Sequence, residues 1–393
     1  MRVRHDADVP PIDAPNPDPA HEPPPAPGAP NGPGPVPDAA VERPSRRAVT
    51  FSVAMLTSSV LLAVCAILPA PYAVSSPGPT EDVLGSIGDQ RLITVTGATT
   101  YPSTGELRMT TVSATGGPGY PSSTLGVIRG WVSPWAVVQP REILFPDPGE
   151  TQDQINDENS AQMVSSQENA QVAALAELDY EIPATLVVVG TVEGTGADGV
   201  VHEGDVLTAI DGTDLPDYQT LVRTMADVTP GAEVTVTVRR EGRERELVVP
   251  TTRSDAGAAQ MGVYIDPDFQ MPVDVAIDAG DIGGPSAGTM FALGIMDLLT
   301  PQDEAAGQVI AGTGTIDVVG TVGPIGGIRQ KLAGAHRDGA DWFLAPAANC
   351  GEVVGHVPDG LRVVRIATLH EAYEAVVAIG KGEADDLPTC TAS

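Results

Sequence analysis

Lysine is nearly absent from this chain: two among 393 residues, against nineteen arginines. A sequence that draws its positive charge from arginine needs a chemical reason to keep a lysine. Arginine cannot lose its proton in a protein, whereas a buried lysine can become a neutral amine and act as a base. Lys381 falls in an acidic tail, but Lys331 stands in Gly-Pro-Ile-Gly-Gly-Ile-Arg-Gln-Lys-Leu-Ala, downstream of Ser286 in Gly-Gly-Pro-Ser-Ala-Gly. Basic residues are scarce altogether, 21 against 52 acidic, for a net charge of −31. That charge repels nucleic acid, and no basic stripe interleaved with aromatics offsets it, so no nucleic-acid partner is expected. There is no His-Glu-x-x-His and no Cys/His metal spacing, so neither a metal nor a cofactor is expected. No G-x-x-x-x-G-K-[ST] occurs either, and no nucleotide-driven step is expected from this polypeptide. Aromatics make up only 4%, while glycine and proline number 43 and 37, which points to disordered or loop-rich stretches.

Fourteen of the prolines lie in residues 1–47, which show no hydrophobic periodicity and read as a disordered tail. Residues 48–68 carry no charge over 21 positions, about the length that crosses a bilayer as a helix. A cleaved signal peptide is the competing reading, but the leader is long for one and Pro71 follows the small-residue site at Leu68-Pro69-Ala70. Arg43, Arg46 and Arg47 precede the segment, and Glu81 is the first charge after it. The positive-inside rule then leaves the N-terminus cytoplasmic and the bulk of the chain outside the cell membrane. Cys65 lies within the segment, and Cys350 and Cys390 lie beyond it. An oxidising compartment permits a disulfide between those two, and two free thiols are the alternative.

Residues 73–183 mix short strand-like runs with turns and then a proline-free, helix-like stretch, a lead-in region in which no chemistry is evident. Residues 184–252 change to strands. Glu-Gly-Asp-Val-Leu-Thr-Ala-Ile-Asp-Gly (203–212), a helical stretch from Tyr218 to Ala226 and two strands around Glu241-Gly-Arg follow one another. This order resembles a PDZ domain. The resemblance implies a module that adds an extended peptide end to a sheet edge. The matching place for a carboxylate-binding loop is Asp179-Tyr-Glu-Ile-Pro, whose two acids put carboxylate capture in doubt.

Residues 255–380 carry the chemistry, and 381–393 form a C-terminal tail. Pro285 and Ser286 begin a helix that Thr300-Pro301 ends, with Ala287, Met290, Phe291, Ile295 and Leu298 on one apolar face. A serine at that helix start stands beside free backbone N–H groups, though serine is more often simply a cap there. Gly284-Pro-Ser-Ala-Gly288 also fits the nucleophile elbow of α/β-hydrolases, which would need one of His336, His356 or His370. That alternative leaves the Lys331 motif unexplained. Gly-Pro-Ser-Ala-Gly and a helix, then Ala-Gly-Thr-Gly-Thr-Ile-Asp-Val-Val-Gly (311–320), the Lys331 motif and Gly-Ala-Asp-Trp-Phe-Leu-Ala-Pro (339–346), resemble the proteolytic domain of Lon proteases. The resemblance implies an α/β domain with Ser286 as nucleophile and Lys331 as general base, Thr313 helping to orient the amine, and Gly284 and Pro285 shaping the approach. Those proteases usually carry an ATPase module, and here a membrane segment and a PDZ-like module stand instead, as in membrane-anchored PDZ–Lon proteins of bacteria. The expected architecture is a mixed α/β (α+β) multidomain chain: one transmembrane helix, a PDZ-like β-rich domain and a C-terminal Lon-type α/β domain. The expected function is an ATP-independent, membrane-anchored serine endopeptidase acting on exported or membrane-associated polypeptides. Peptide ends are expected at the PDZ-like module, and the resemblance also implies a homo-oligomeric ring. A non-catalytic scaffold that binds envelope proteins is the alternative from a different class.

Overall fold

The computed structural model describes residues 45–391 except 89, 148, 255 and 256. The proline-rich stretch 1–44, read above as a disordered tail, lies outside the described residues. Helix α1 spans Arg46–Ile67, beginning two residues before the uncharged segment. Its 22 residues reach roughly 33 Å at helical rise. None of them is buried against protein, and the helix is long and apolar enough to cross a membrane.

Beyond α1 the chain forms β1 (Tyr72–Asp82), β2 (Ile93–Thr96), β3 (Glu106–Thr115), α2 (Thr124–Val132), β4 (Val137–Pro140) and the long α3 (Gln152–Glu177). Thr151 accepts from the Gln154 amide while the Gln154 side chain accepts from the Thr151 amide, a reciprocal cap that fixes where α3 begins. Next come β5 (Ala184–Thr191), β6 (Val206–Ile210), α4 (Tyr218–Ala226), β7 (Glu233–Arg240), β8 (Arg243–Pro250) and β9 (Val263–Phe269). The remainder holds β10 (Asp274–Ile277), α5 (Gly288–Leu299), β11 (Val309–Gly312), the short hairpin strands β12 (Thr315–Ile316) and β13 (Val322–Gly323), α6 (Ile328–Arg337), β14 (Trp342–Pro346), β15 (Arg362–Ile366) and α7 (Leu369–Lys381).

One six-stranded sheet runs β15-β14-β11-β3-β1-β4. The pairs from β15 to β3 are parallel, with Val309 opposite Glu106 and Gly312 opposite Met109; β1 then joins β3 and β4 antiparallel. Residues 73–183 are therefore no mere lead-in. Their strands complete this sheet, and Val83, Leu92, Leu107, Met109 and Met163 share one core with Met290, Phe291, Ile310 and Leu344. Helix α5 packs against α3, α7 and β3, and all twelve of its residues are buried. The single apolar face expected for it is corrected accordingly: a helix enclosed on every side is apolar all round.

A second sheet, β8-β7-β6-β5-β9 with Thr213–Asp214 bridged to β6, has its own core of Leu186, Val188, Leu207, Ile210, Val234, Val236 and Val249. Buried Val234, Val236 and Val238 alternate along β7, as one covered face requires. Asp205, fully buried, is paired with Arg240 at 2.6 Å. Strand β9 belongs to this sheet, so a boundary between 252 and 255 cuts through it. Cys350 and Cys390 are joined in a disulfide with Cα atoms 5.0 Å apart, holding the chain's end against the cluster around Phe343 and Leu361. Cys65 is free.

Candidate active site

The turn that enters α5 is held from two sides. From α3, the Asn159 carbonyl accepts the Gly284 N–H at 2.9 Å, and the Ser166 hydroxyl donates to the Pro285 carbonyl at 3.0 Å. Gly284 has φ +87°, which the absence of a Cβ allows. From the loop after β11, the Thr313 hydroxyl and the Gly314 amide both donate to the Ser286 carbonyl at 2.9 Å. Ser286 thus sits on a fixed backbone, two residues before α5 begins at Gly288. It does not cap the helix: Ala287 is the N-cap, no side chain bonds the free N–H groups there, and the Ser286 hydroxyl meets Lys331 instead.

Lys331 lies on the first turns of α6 and is 2% exposed. Gly327, the residue before the helix, has φ +72°, and a Cβ there would stand 2.8 Å from Val112 Cγ2. Close seating of α6 against β3 therefore requires glycine, which accounts for part of the Gly-Gly-Ile string. The Lys331 Nζ is 2.8 Å from Ser286 Oγ, 2.8 Å from the Thr110 carbonyl and 2.9 Å from Thr313 Oγ1. Burial pushes its pKa down from the ordinary 10.5 to about 7.

The polarity of these bonds decides what the neutral amine can do. The Thr110 carbonyl only accepts. The Thr313 hydroxyl spends its proton on the Ser286 carbonyl, so toward Lys331 it too accepts. The two N–H groups of a neutral amine serve these acceptors, and its lone pair is left facing Ser286 Oγ, the one partner with a proton to give. The cleft over this pair has a volume of about 390 Å³ and includes Thr110, Met163, Ile282 and Gly326 in its walls. The Ser286 and Ala287 amides open beside it and donate to no protein acceptor among the described residues.

Of the residues singled out in the sequence, Ser286, Lys331, Thr313, Gly284 and Pro285 converge here. The histidines do not: among the described residues none lines the cleft. His336 is exposed on α6, His356 meets the Val354 carbonyl, and His370 pairs with Glu177 at 2.6 Å. The Thr110 carbonyl and the α3 contacts went unseen in the sequence, since a backbone acceptor leaves no side-chain signature.

A second cleft, of about 540 Å³, lies between α4 and the outer edge of β9, with Tyr218, Leu221, Met225, Met261, Val263 and Ile265 in its walls. The loop at its end is 258–262, with Gly262 at φ +83°, and not Asp179–Pro183 as the sequence reading placed it. The glycine-bearing loop precedes β9, which follows the rest of the sheet in the chain, so a search ahead of β5 could not find it. Gln219 of α4 donates to the Val318 carbonyl at 3.2 Å, tying this helix to the turn between β12 and β13.

Residues 249–379 match the Lon protease (S16) C-terminal proteolytic domain, and residues 161–251 match the PDZ domain. The chain carries a Lon-type serine peptidase domain and a PDZ domain. Lon protease 1 of Sorangium cellulosum is 37% identical over 122 residues, covering 30% of this chain and 15% of its own length. Lon protease 1 of Bacillus subtilis is 33% identical over 117 residues, covering 28% of this chain and again 15% of its own length. The aligned part of the chain thus spans 15% of the length of these relatives. The PDZ domain of the SdrC-like protein from Listeria monocytogenes aligns over 21% of this chain and 86% of its own at 20% identity, with a TM-score of 0.20, too low to add to the argument. The Lon-type match contains Ser286, Thr313 and Lys331, whereas Thr110, Asn159 and Ser166, which complete their surroundings, come from β3 and α3 outside it.

Proposed function

We propose that this protein is a membrane-anchored serine endopeptidase that works without nucleotide, with Ser286 as nucleophile and Lys331 as general base. The observation that carries the reading is the buried Nζ 2.8 Å from Ser286 Oγ, with every other partner of the amine an acceptor. A peptide carbonyl in the cleft is attacked by Ser286 Oγ as its proton passes to Lys331. The oxyanion of the tetrahedral intermediate meets the free Ser286 and Ala287 amides, which are already oriented and need not reorganise. The intermediate collapses with cleavage of the C–N bond, and the Lys331 ammonium returns the proton to the leaving amine. Water, deprotonated by Lys331, then attacks the acyl-serine ester, and the proton goes back to Ser286 Oγ as the acid product leaves.

Helix α1 supplies the anchor in this reading, with the arginines at its start cytoplasmic and the catalytic unit on the other side of the membrane. The open edge of β9 beside α4 takes an extended peptide segment as an added strand. Substrates are then exported or membrane-associated chains that are already unfolded. The histidine-based hydrolase finds no support, since no described histidine lines the cleft. The full chain in detergent, incubated with denatured casein and no nucleotide, tests the proposal. The parent is expected to cleave and Ser286→Ala to leave casein intact; equal cleavage by both would overturn it.

A further inference from the structure

Helix α2 has two apolar faces. Val127 and Gly130 are buried against the sheet, where Gly130 meets Val74 and Val138. On the opposite face Leu125, Ile128, Trp131 and Val132 are 42%, 45%, 63% and 78% exposed. Their spacing of three, three and one places them on a single stripe of the helix. Water-facing helices of a soluble domain carry polar groups there, so this face lacks a partner.

The position of α2 in the chain says what that partner is. The Leu68 carbonyl, one residue past the end of α1, accepts the Thr124 N–H at 3.0 Å and the Thr124 hydroxyl at 3.2 Å. Pro69 bridges to Ser123, and the Ala70 N–H donates to the Ser122 carbonyl at 2.8 Å. The first turn of α2 is therefore hydrogen-bonded to the very residues at which the chain would leave a bilayer. The charge pattern agrees. In a chain with 52 acids, residues 107–141 contain none, while Arg108, Arg129 and Arg141 fall within them. Residues 48–80 carry no charge at all. The aromatic residues fit the same surface. Trp131 stacks edge-on against Tyr72, five residues past α1, with centroids 5.9 Å apart, and indole and phenol rings favour the boundary between acyl chains and water.

We propose that the exposed face of α2 lies in the lipid interface, holding the catalytic unit down on the membrane beside its anchor. This rests on the reading that α1 spans a bilayer. The active cleft then works close to the membrane surface, and chains emerging from or lying on the bilayer meet it first.

The test uses the full chain in lipid nanodiscs whose phosphatidylcholine is brominated high on the acyl chain. Tryptophan emission is compared between the parent and Trp131→Phe, and a dansyl group on Cys65 reports separately whether α1 is in lipid. The expected result is bromine quenching of the emission that Trp131→Phe removes, with that quenching lost in Ile128→Glu, a change at an exposed position. Quenching at Cys65 with none at Trp131 would overturn the inference and leave the spanning helix standing. No quenching at either site would overturn both. Shielding of Trp131 from aqueous iodide that grows with the number of copies per disc, without bromine quenching, would assign the face to a second copy and also overturn it.

Discussion

Lys331→Met deletes the buried amine and keeps most of its apolar stem, which allows the depressed pKa to be weighed without any substrate. In the folded protein the Lys331 proton is lost near pH 7, and in the unfolded chain near its ordinary 10.5. Between these values the unfolded state binds more protons than the folded one, so stability rises with pH across this window. Below pH 7 both states are protonated and the full cost of burying the charge is felt; above 10.5 neither is protonated and the cost is gone. Each pH unit inside the window is worth about 1.4 kcal/mol, less near its ends where titration is partial. From pH 7 to 9 the parent should therefore gain about 2 kcal/mol relative to Lys331→Met. Urea unfolding of both proteins at a series of pH values, followed by emission of the buried Trp342 in the same sheet, reads that difference. Two curves that run parallel from pH 7 to 9 would mean that Lys331 keeps its proton in the folded state, and the general-base assignment would fall with them.

Three further outcomes follow from the same geometry. Thr313→Val removes the hydroxyl that donates to the Ser286 carbonyl and accepts from Lys331, and should lower kcat about 10- to 100-fold with little change in KM, while Thr313→Ser restores it; a Val variant with parent kcat would refute the role. Reduction of the Cys350–Cys390 bond, which closes a loop across a separation of 40 residues, should cost the catalytic unit about 2–4 kcal/mol, read as a lower denaturant midpoint with reductant present. An unchanged midpoint would mean that the C-terminal segment adds nothing to stability. Ser286→Ala should abolish casein cleavage without lowering the unfolding midpoint much, because its hydroxyl bonds only Lys331 and caps no helix.

The local chemistry was legible in the sequence because it is written in contiguous strings. One lysine in a chain of arginines, a Pro-Ser turn ahead of an apolar helix, and a Gly-Gly-Ile run before Lys331 each announce themselves within ten residues. The uncharged run 48–68 predicted a spanning helix for the same reason, and α1 lies within two residues of it. What stayed hidden depends on distant pairing. The parallel match of β3 with β11 joins segments separated by an entire second sheet, and neither strand carries a mark of its partner. Thr110 enters the site through its carbonyl, which any residue could offer. β9 reads as an ordinary alternating strand, and only its register against β5 assigns it to the second sheet. The Ser286 region pointed to a helix cap or a nucleophile with equal force, and the two differ in where the hydroxyl goes, which depends on a lysine 45 residues away.

The central claim is that a neutral Lys331 takes the proton of Ser286. The most direct measurement is kcat/KM for peptide cleavage by the full chain between pH 6 and 9, beside Lys331→Arg. With a pKa of about 7, the neutral fraction of the amine rises about tenfold from pH 6 to 8, and the parent rate should follow it. The arginine variant keeps the charge and cannot release the proton, so it should stay at background throughout. A variant that retains the parent rate, or a parent profile flat across this range, would contradict the account.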